Sequence, residues 1–283
     1  MTLPSFRAAD DPGPSFLEVL RRAGRRPLDE VAGTPVPELA HGTTVIAVRY
    51  ADGVLMAGDR RATSGGLISR RTTDKIFPAD RHSGVAIAGA LGPALEMVKL
   101  FQLQLEHYEK VENVELSLEG KANQLGQMVR DHLPAAMQGM TVVPLFAGYD
   151  TRRGTGRLFE YDVTGGRYEE QDFAATGSGS LHAGMSVKVG YRTGLDLAAV
   201  ADLAVRALFE AADEDSATGG PDPVRGIYPL LATITAEGFA FMDEADVAER
   251  FAGLLGRLSR PTSTTVVGVA PSAPATPPGP APG

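Results

Sequence analysis

The sequence predicts an α+β protein in which two antiparallel sheets pack face to face and helices cover their outer surfaces. Blocks of short apolar strands alternate with blocks of helices, whereas a doubly wound parallel sheet alternates single strands with single helices. The turn signals Asp52-Gly53 and Glu237-Gly238 each join two strands as a hairpin. Between the strand blocks, apolar residues recur at the spacing of a helix.

The first strand block begins abruptly after His41-Gly42. Residues 43–50 and 54–58 flank the first turn, and residues 85–89 form a third short apolar strand. The four residues Val45 to Val48 are apolar without alternation, which predicts a strand that is covered on both faces.

The remaining elements follow from changes of period along the chain. Apolar residues at helical spacing after Pro93 predict a helix to about Tyr108, because proline suits the first turn. The other predicted elements, in chain order, are a helix at 119–132, strands at 142–149, 157–162 and 168–175, helices at 181–189 and 195–212, strands at 230–236 and 239–242, and a helix at 244–258.

Proline is crowded at both ends of the chain. Six of the 20 prolines lie in residues 1–42 and six more in residues 271–283. We therefore expect a leader (1–42), a core domain (43–265) and an extended Pro/Ala-rich tail (266–283) that buries nothing. The leader lacks the apolar run of about 7–15 residues that a secretory signal needs, and no apolar stretch approaches the ~20 residues of a membrane span.

Composition excludes several kinds of chemistry. The chain has no cysteine, so disulfides, thiolate nucleophiles and iron–sulfur clusters are ruled out. Its five histidines lack metal-ligand spacing, and the net charge of −8 argues against a nucleic-acid-binding protein. We therefore expect no metal, no cofactor, no nucleic acid and no membrane partner.

The junction at Gly42-Thr43 suggests a nucleophile if the leader is removed. A threonine hydroxyl needs a base, and the α-amino group of a newly exposed N-terminal residue, with a pKa near ~7.7–8.0, supplies one on the same residue. An ordinary threonine pair at the start of a strand is the alternative. Lys75, between Asp74 and an apolar stretch, is either a partly buried cation or a solvated strand lysine.

Four motifs in order carry a family resemblance. The segments TTVIAVRYADGVLMAGDRRATSGGLISRRTTDKIF, AIAGA, GSGS and DEDSATGG resemble those of 20S proteasome β subunits of the actinobacterial type, which are N-terminal-threonine hydrolases. The resemblance covers about residues 43–259. It implies the N-terminal-nucleophile hydrolase fold, a four-layer αββα sandwich, and cytoplasmic peptide hydrolysis by an enzyme made as a self-cleaving zymogen.

The resemblance also implies roles for individual residues. Thr43 is the nucleophile, exposed by cleavage between Gly42 and Thr43, and Gly89 supplies the oxyanion N–H. The other residues that match the family's catalytic set are Asp59, Lys75, Ser178, Asp215 and Thr218, while Arg61 matches a structural arginine. Thr218 stands where the family commonly has serine, which puts the local hydrogen-bond geometry in question.

The family's substrate site matches a further set of residues. Thr63 matches a residue whose backbone pairs with the substrate strand, and Gly89 is shared with the oxyanion site. The side-chain pocket matches Ala62, Thr73, Phe77, Ile87, Leu91 and Leu95. Because this set is mostly apolar, with Thr73 as its polar member, we expect cleavage after hydrophobic residues.

The partners are implied by the family alone. They are proteasome α subunits, other β subunits in two stacked heptameric rings and, indirectly, an ATPase ring and tagged protein substrates. Three alternatives stay open: a non-catalytic structural ring subunit, the peptidase of the two-component bacterial ATP-dependent protease, and another N-terminal-nucleophile hydrolase that acts on small amides.

Overall fold

The computed structural model describes residues 42–65 and 67–259. The predicted leader, except Gly42, and the predicted tail lie outside the described residues. In chain order the strands are β1 (Thr44–Tyr50), β2 (Gly53–Gly58), β3 (Ala62–Ser64), β4 (Leu67–Arg70), β5 (Ile76–Asp80), β6 (Ser83–Gly89), β7 (Val142–Asp150), β8 (Thr155–Tyr161), β9 (Arg167–Glu170), β10 (Phe173–Gly177), β11 (Leu230–Thr235) and β12 (Gly238–Phe241). The helices are α1 (Leu91–Glu112), α2 (Leu118–Asp131), α3 (Leu133–Ala136), α4 (Ser180–Gly190), α5 (Leu197–Glu214) and α6 (Glu244–Leu258).

Two five-stranded antiparallel sheets dominate the described part of the chain. The first has the strand order β10-β1-β2-β11-β12, and the second has the order β5-β6-β7-β8-β9. Strands β3 and β4 form a separate hairpin. In the first sheet β1 lies between β2 and β10, and Thr44 is paired with Gly177. This pairing brings the start of β1 next to the turn that follows β10.

Buried apolar side chains of the described residues fall into three layers. One cluster fills the space between the two sheets and includes Val45 and Ala47. A second lies between the first sheet and helices α4 to α6, and it includes Ile46 and Val48. A third lies between the second sheet and helices α1 and α2. Because neighbouring residues from Val45 to Val48 enter different layers, all four are apolar, as predicted.

The predicted α+β class and the four-layer arrangement are confirmed. The final helix has the predicted bounds, and the other predicted helices differ by a few residues at their ends. Within the described ranges, no helix combines the length and the apolar character that crossing a membrane requires.

One predicted strand is wrong, and three were missed. Residues 168–175 form the ends of two strands, β9 and β10, which belong to different sheets. The chain bends at Gln171-Asp172 and passes from one sheet to the other, so this polar pair marks a boundary. Strands β3 and β4 were missed because they lack an apolar pattern, and every residue of β4 is exposed. Strand β5 was missed because Pro78 interrupts it and only Ile76 and Ala79 are buried.

Candidate active site

Thr43 lies at the end of the first sheet, immediately before β1, and is 5% exposed. Its carbonyl oxygen accepts a hydrogen bond of 2.8 Å from the Ser178 N–H. Its own N–H donates to Ser178 Oγ at 3.3 Å. Ser178 stands between β10 and α4, so the strand pairing of β1 with β10 brings the two residues together.

A buried ion pair adjoins Thr43. Asp59 follows β2 and Lys75 precedes β5, and the Lys75 ammonium donates to Asp59 Oδ1 at 2.6 Å. The same oxygen accepts the Thr44 N–H at 2.8 Å. The second carboxylate oxygen accepts the N–H groups of Arg61 at 2.9 Å and Gly219 at 2.8 Å. With four donors, this fully buried carboxylate has the hydrogen bonds that burial of a charge requires.

The environment of Lys75 favours its neutral form more than water does. Burial lowers the pKa of Lys75, and the Asp59 carboxylate only partly opposes this effect. The Lys75 carbonyl accepts the Ile87 N–H at 2.9 Å, which ties the residue to β6. Lys75 and Thr43 line the same cavity. The Lys75 side chain can therefore supply a proton or a positive charge beside the threonine.

A second carboxylate, Asp215, is linked to Thr43 through Ser178. Asp215 follows α5, and its Oδ2 accepts the hydroxyl groups of Ser178 at 2.5 Å and Thr218 at 2.6 Å. Its Oδ1 accepts the Ala217 N–H at 3.1 Å. Burial raises the pKa of Asp215, but these hydrogen bonds outweigh it and hold the pKa below its usual range. The carboxylate is therefore ionised near neutral pH and acts only as an acceptor.

A cavity of about 310 Å³ opens beside Thr43. Six of the eight predicted substrate residues line it, namely Ala62, Thr63, Thr73, Ile87, Gly89 and Leu91. The structure places the other two elsewhere. Phe77 and Leu95 do not line this cavity, and they pack against the apolar cluster between the second sheet and helices α1 and α2.

Two positions here require glycine, Gly89 for its backbone conformation and Gly42 for its packing. Gly89 ends β6 with a φ of +105°, and a Cβ added to it would lie 2.0 Å from the Thr141 carbonyl oxygen. A Cβ on Gly42 would lie 2.0 Å from the Cβ of Ala217. The glycine before Thr43 therefore allows close packing against the loop that carries Asp215 and Thr218. The Gly42 N–H donates to Thr63 Oγ1 at 3.1 Å.

The structure adds residues that the sequence did not single out. Ser69, Arg70 and Met140 also line the cavity, although they come from β4 and from the segment before β7. Thr44 is completely buried beside the site. No sequence motif indicated that Ser69, Arg70 and Met140 line the cavity. The Thr-Thr pair at the start of β1 was a sequence pattern that could have indicated Thr44. Arg61, predicted as structural, donates to the Ser216 carbonyl at 2.9 Å.

The site consists of a threonine, two carboxylates, a lysine and hydroxyl groups. Within residues 42–65 and 67–259, no group of three or more His, Cys, Asp or Glu side chains is arranged to hold a metal ion. The groups present are suited to proton transfer and to attack by a hydroxyl group.

Comparison with known proteins gives a consistent result. The family model described as "Proteasome subunit" matches residues 39–224. The chain is 56% identical over 253 residues to "Proteasome subunit beta" of Acidimicrobium ferrooxidans, a match that covers 88% of this chain and 92% of that protein. It is 53% identical over 234 residues to "Proteasome subunit beta" of Streptomyces griseus, with 83% of each chain covered. It is 49% identical over 252 residues to "Proteasome subunit beta 2" of Thermomonospora curvata, with 87% of this chain and 90% of that protein covered.

Proposed function

The chain belongs to the proteasome subunit family as a β subunit, and from this premise we propose that it is a threonine-type endopeptidase whose nucleophile is Thr43. One observation carries the proposal. The Thr43 N–H donates to Ser178, which donates to the Asp215 carboxylate, and Thr43 lines the same cavity as Lys75, whose ammonium donates to Asp59.

The first step is acyl transfer to Thr43. After residues 1–42 are removed, the free amine of Thr43 takes the proton from its own hydroxyl, and Oγ1 attacks the carbonyl carbon of a peptide bond. The Lys75 ammonium favours the negative charge that develops on Oγ1, and the Gly89 N–H donates to the oxyanion. The C–N bond breaks, and the leaving amine receives the proton held by the Thr43 amine.

The second step releases the acyl group. Water attacks the carbonyl carbon of the threonyl ester while the Thr43 amine accepts a proton from it. The bond between the acyl carbon and Oγ1 breaks, and the amine returns the proton to Oγ1, which restores the hydroxyl group and releases the carboxylic acid product. Ser178 and Asp215 hold the amine through both steps, because Ser178 receives its N–H and in turn donates to Asp215.

Maturation uses the same groups on the chain's own backbone. In this proposal residues 1–42 are a propeptide, and the Thr43 nitrogen is still the amide of the Gly42–Thr43 bond. Thr43 Oγ1 attacks the Gly42 carbonyl carbon, the C–N bond breaks, and the nitrogen takes up the hydroxyl proton to become the free amine. Water then hydrolyses the ester between Gly42 and Thr43 Oγ1 and releases the leader. The catalytic domain then spans residues 43–265, with a proline-rich tail at 266–283. The close contact between Gly42 and Ala217 supports this scheme, because it holds the bond against the loop that contains Asp215 and Thr218.

The cavity supports a preference for cleavage after hydrophobic residues. Its wall includes Ile87, Leu91, Ala94 and Met140, and the only charged lining groups among the described residues are Lys75 and Arg70. An apolar side chain therefore gains contacts there, whereas a basic side chain meets two cations.

The proposed assembly follows from the family. We infer that the chain forms heptameric β rings, stacked as a pair between rings of α subunits, in the cytoplasm. An ATPase ring would deliver tagged substrates. The relatives are named proteasome β subunits, which favours this assembly over the two-component bacterial protease.

The test compares Thr43→Ala and Thr43→Ser with the wild type. Each full-length chain is co-expressed with its α partner, and particle mass, N-terminus and hydrolysis of fluorogenic peptides are measured together. We expect Thr43→Ala to assemble but to retain the leader and have no turnover, while Thr43→Ser keeps part of the activity because it keeps a hydroxyl. Wild-type turnover by Thr43→Ala would refute the mechanism, and an inactive wild-type particle would support the structural-subunit alternative.

A further inference from the structure

Thr44 carries a buried hydroxyl group that the proposed mechanism does not use. It is the first residue of β1, it is 0% exposed, and it is not among the residues that line the cavity. Its Oγ1 accepts the Gly179 N–H at 3.0 Å and lies 2.5 Å from Thr218 Oγ1. These contacts connect it to the loop that carries Ser178.

Gly179, Thr44, Thr218 and Asp215 form a series of hydrogen bonds, and the groups at its two ends fix the direction of each bond. The ionised Asp215 can only accept, so Thr218 donates to it and has no hydrogen left for Thr44. Thr44 must therefore donate to Thr218, and its own oxygen accepts from the Gly179 N–H, which can only donate. The bonds run in one direction from Gly179 through Thr44 and Thr218 to Asp215.

The same reasoning fixes the role of Ser178. Its hydroxyl hydrogen is taken by Asp215 at 2.5 Å, so its oxygen presents a lone pair to the Thr43 nitrogen. Asp215 therefore receives two hydrogen-bonded branches, one through Ser178 and one through Thr218. Thr44 joins the second branch to Gly179, which is the residue after Ser178.

We propose that Thr44 is a positioning residue, whose hydroxyl closes this ring of hydrogen bonds and so holds Ser178 in place as the acceptor for the Thr43 amine. The inference rests on the proposed function. Without the hydroxyl, the Gly179 N–H is left buried without a partner, and the loop moves to satisfy it. Ser178 moves with that loop, and the lone pair of the amine turns away from the Thr43 hydroxyl.

The test compares Thr44→Val, which keeps the branched shape but removes the hydroxyl, with Thr44→Ser, which keeps it. Full-length chains are assembled with the α partner, and the Thr43 N-terminus is verified by mass spectrometry. We expect Thr44→Val to lower kcat by roughly 10- to 100-fold with an unchanged KM, because a buried donor loses its partner outside the cavity. Thr44→Ser should recover most of kcat.

A pH profile separates positioning from a loss of folded protein. A hydrogen-bond acceptor favours the protonated amine, so displacing Ser178 lowers the pKa of the amine and moves the acidic limb of kcat/KM to lower pH. Both variants leave unchanged the charged and titratable groups around the site, which are Lys75, Arg70, Arg61, Asp59, Asp215 and His182. Thr233→Val on β11, which loses a 3.4 Å hydrogen bond to the Ala240 carbonyl in the same sheet, is the matched control and should change neither quantity.

Different results would overturn the inference about Thr44 and the proposed function. A Thr44→Val particle with wild-type kcat and an unmoved acidic limb overturns the inference, as does a Thr44→Ser particle as impaired as Thr44→Val. Should Thr44→Val not assemble, Thr218→Val interrupts the same bond from its other end, and wild-type kcat in that variant also overturns it. If the proposed function itself is wrong, Thr43→Ala turns over peptide like the wild type, whatever Thr44 does.

Discussion

Replacing Lys75 by methionine tests whether the buried ion pair serves catalysis as well as stability. The Lys75 ammonium lies 2.6 Å from Asp59 Oδ1, with the two side chains 3% and 0% exposed. At this separation an effective dielectric constant near 20 gives an attraction of about 6 kcal/mol. The Asp59 carboxylate keeps three N–H donors in the variant, so we expect a smaller loss of stability, about 3–5 kcal/mol.

The assay measures stability and turnover on the same particles. At about 2–4 °C per kcal/mol for a domain of this size, the predicted loss lowers Tm by roughly 6–20 °C. Loss of a preorganised charge beside the nucleophile should also lower kcat by at least about 100-fold in particles that remain folded.

A second buried lysine gives the matched control. Lys121 on α2 is 4% exposed and lies 2.5 Å from Asp80 Oδ2, away from the cavity. Lys121→Met should lower Tm by a similar amount and leave kcat per folded particle unchanged. If Lys75→Met retains wild-type kcat, or if both variants lose kcat in parallel with Tm, the catalytic role of Lys75 is refuted.

Three further predictions concern the site. Asp215→Asn should make the free energy of unfolding less sensitive to acid. In the wild type the lowered pKa of Asp215 stabilises the folded state at pH values above the ordinary pKa of 3.8, and this stabilisation is lost as the pH falls through the folded-state pKa. Urea unfolding from pH 2 to 6 checks it, and identical pH profiles would contradict it. Thr73→Val should leave stability unchanged or raise it, and it should lower KM for apolar substrates. The reason is that Thr73 Oγ1 is buried without a hydrogen-bond partner among the described residues. A higher Tm with a lower KM would support this prediction, and a markedly higher KM would contradict it. Gly42→Val should block leader removal, because its Cβ would lie 2.0 Å from that of Ala217; mass spectrometry of normally matured particles would disprove it.

Much of the fold could be predicted because its signals are local. The apolar run of β1 follows from burial on both faces, and α5 follows from a regular apolar stripe. The hairpin of β3 and β4 has no such pattern, because its residues are mostly exposed, and the crossing at Gln171-Asp172 depends on which sheet each strand joins.

The sequence predicted some residues of the site and missed others. The motifs indicated Thr43, Asp59 and Lys75, and the fold brings these residues together from three separate elements. Ser69, Arg70 and Met140 could not be predicted, since their place at the cavity depends on tertiary packing. Conversely, Phe77 and Leu95 match a family pattern, yet here they contact the core beneath helix α1.

The first residue of this chain in active particles shows whether Thr43 is the nucleophile. Particles assembled with the α partner are treated with an electrophilic peptide that acylates hydroxyl nucleophiles, and the labelled residue and the chain's first residue are read by tandem mass spectrometry. We predict that the active chain begins at Thr43 and that the label is on Thr43. Active particles with an intact leader, or a label on another residue, would contradict it.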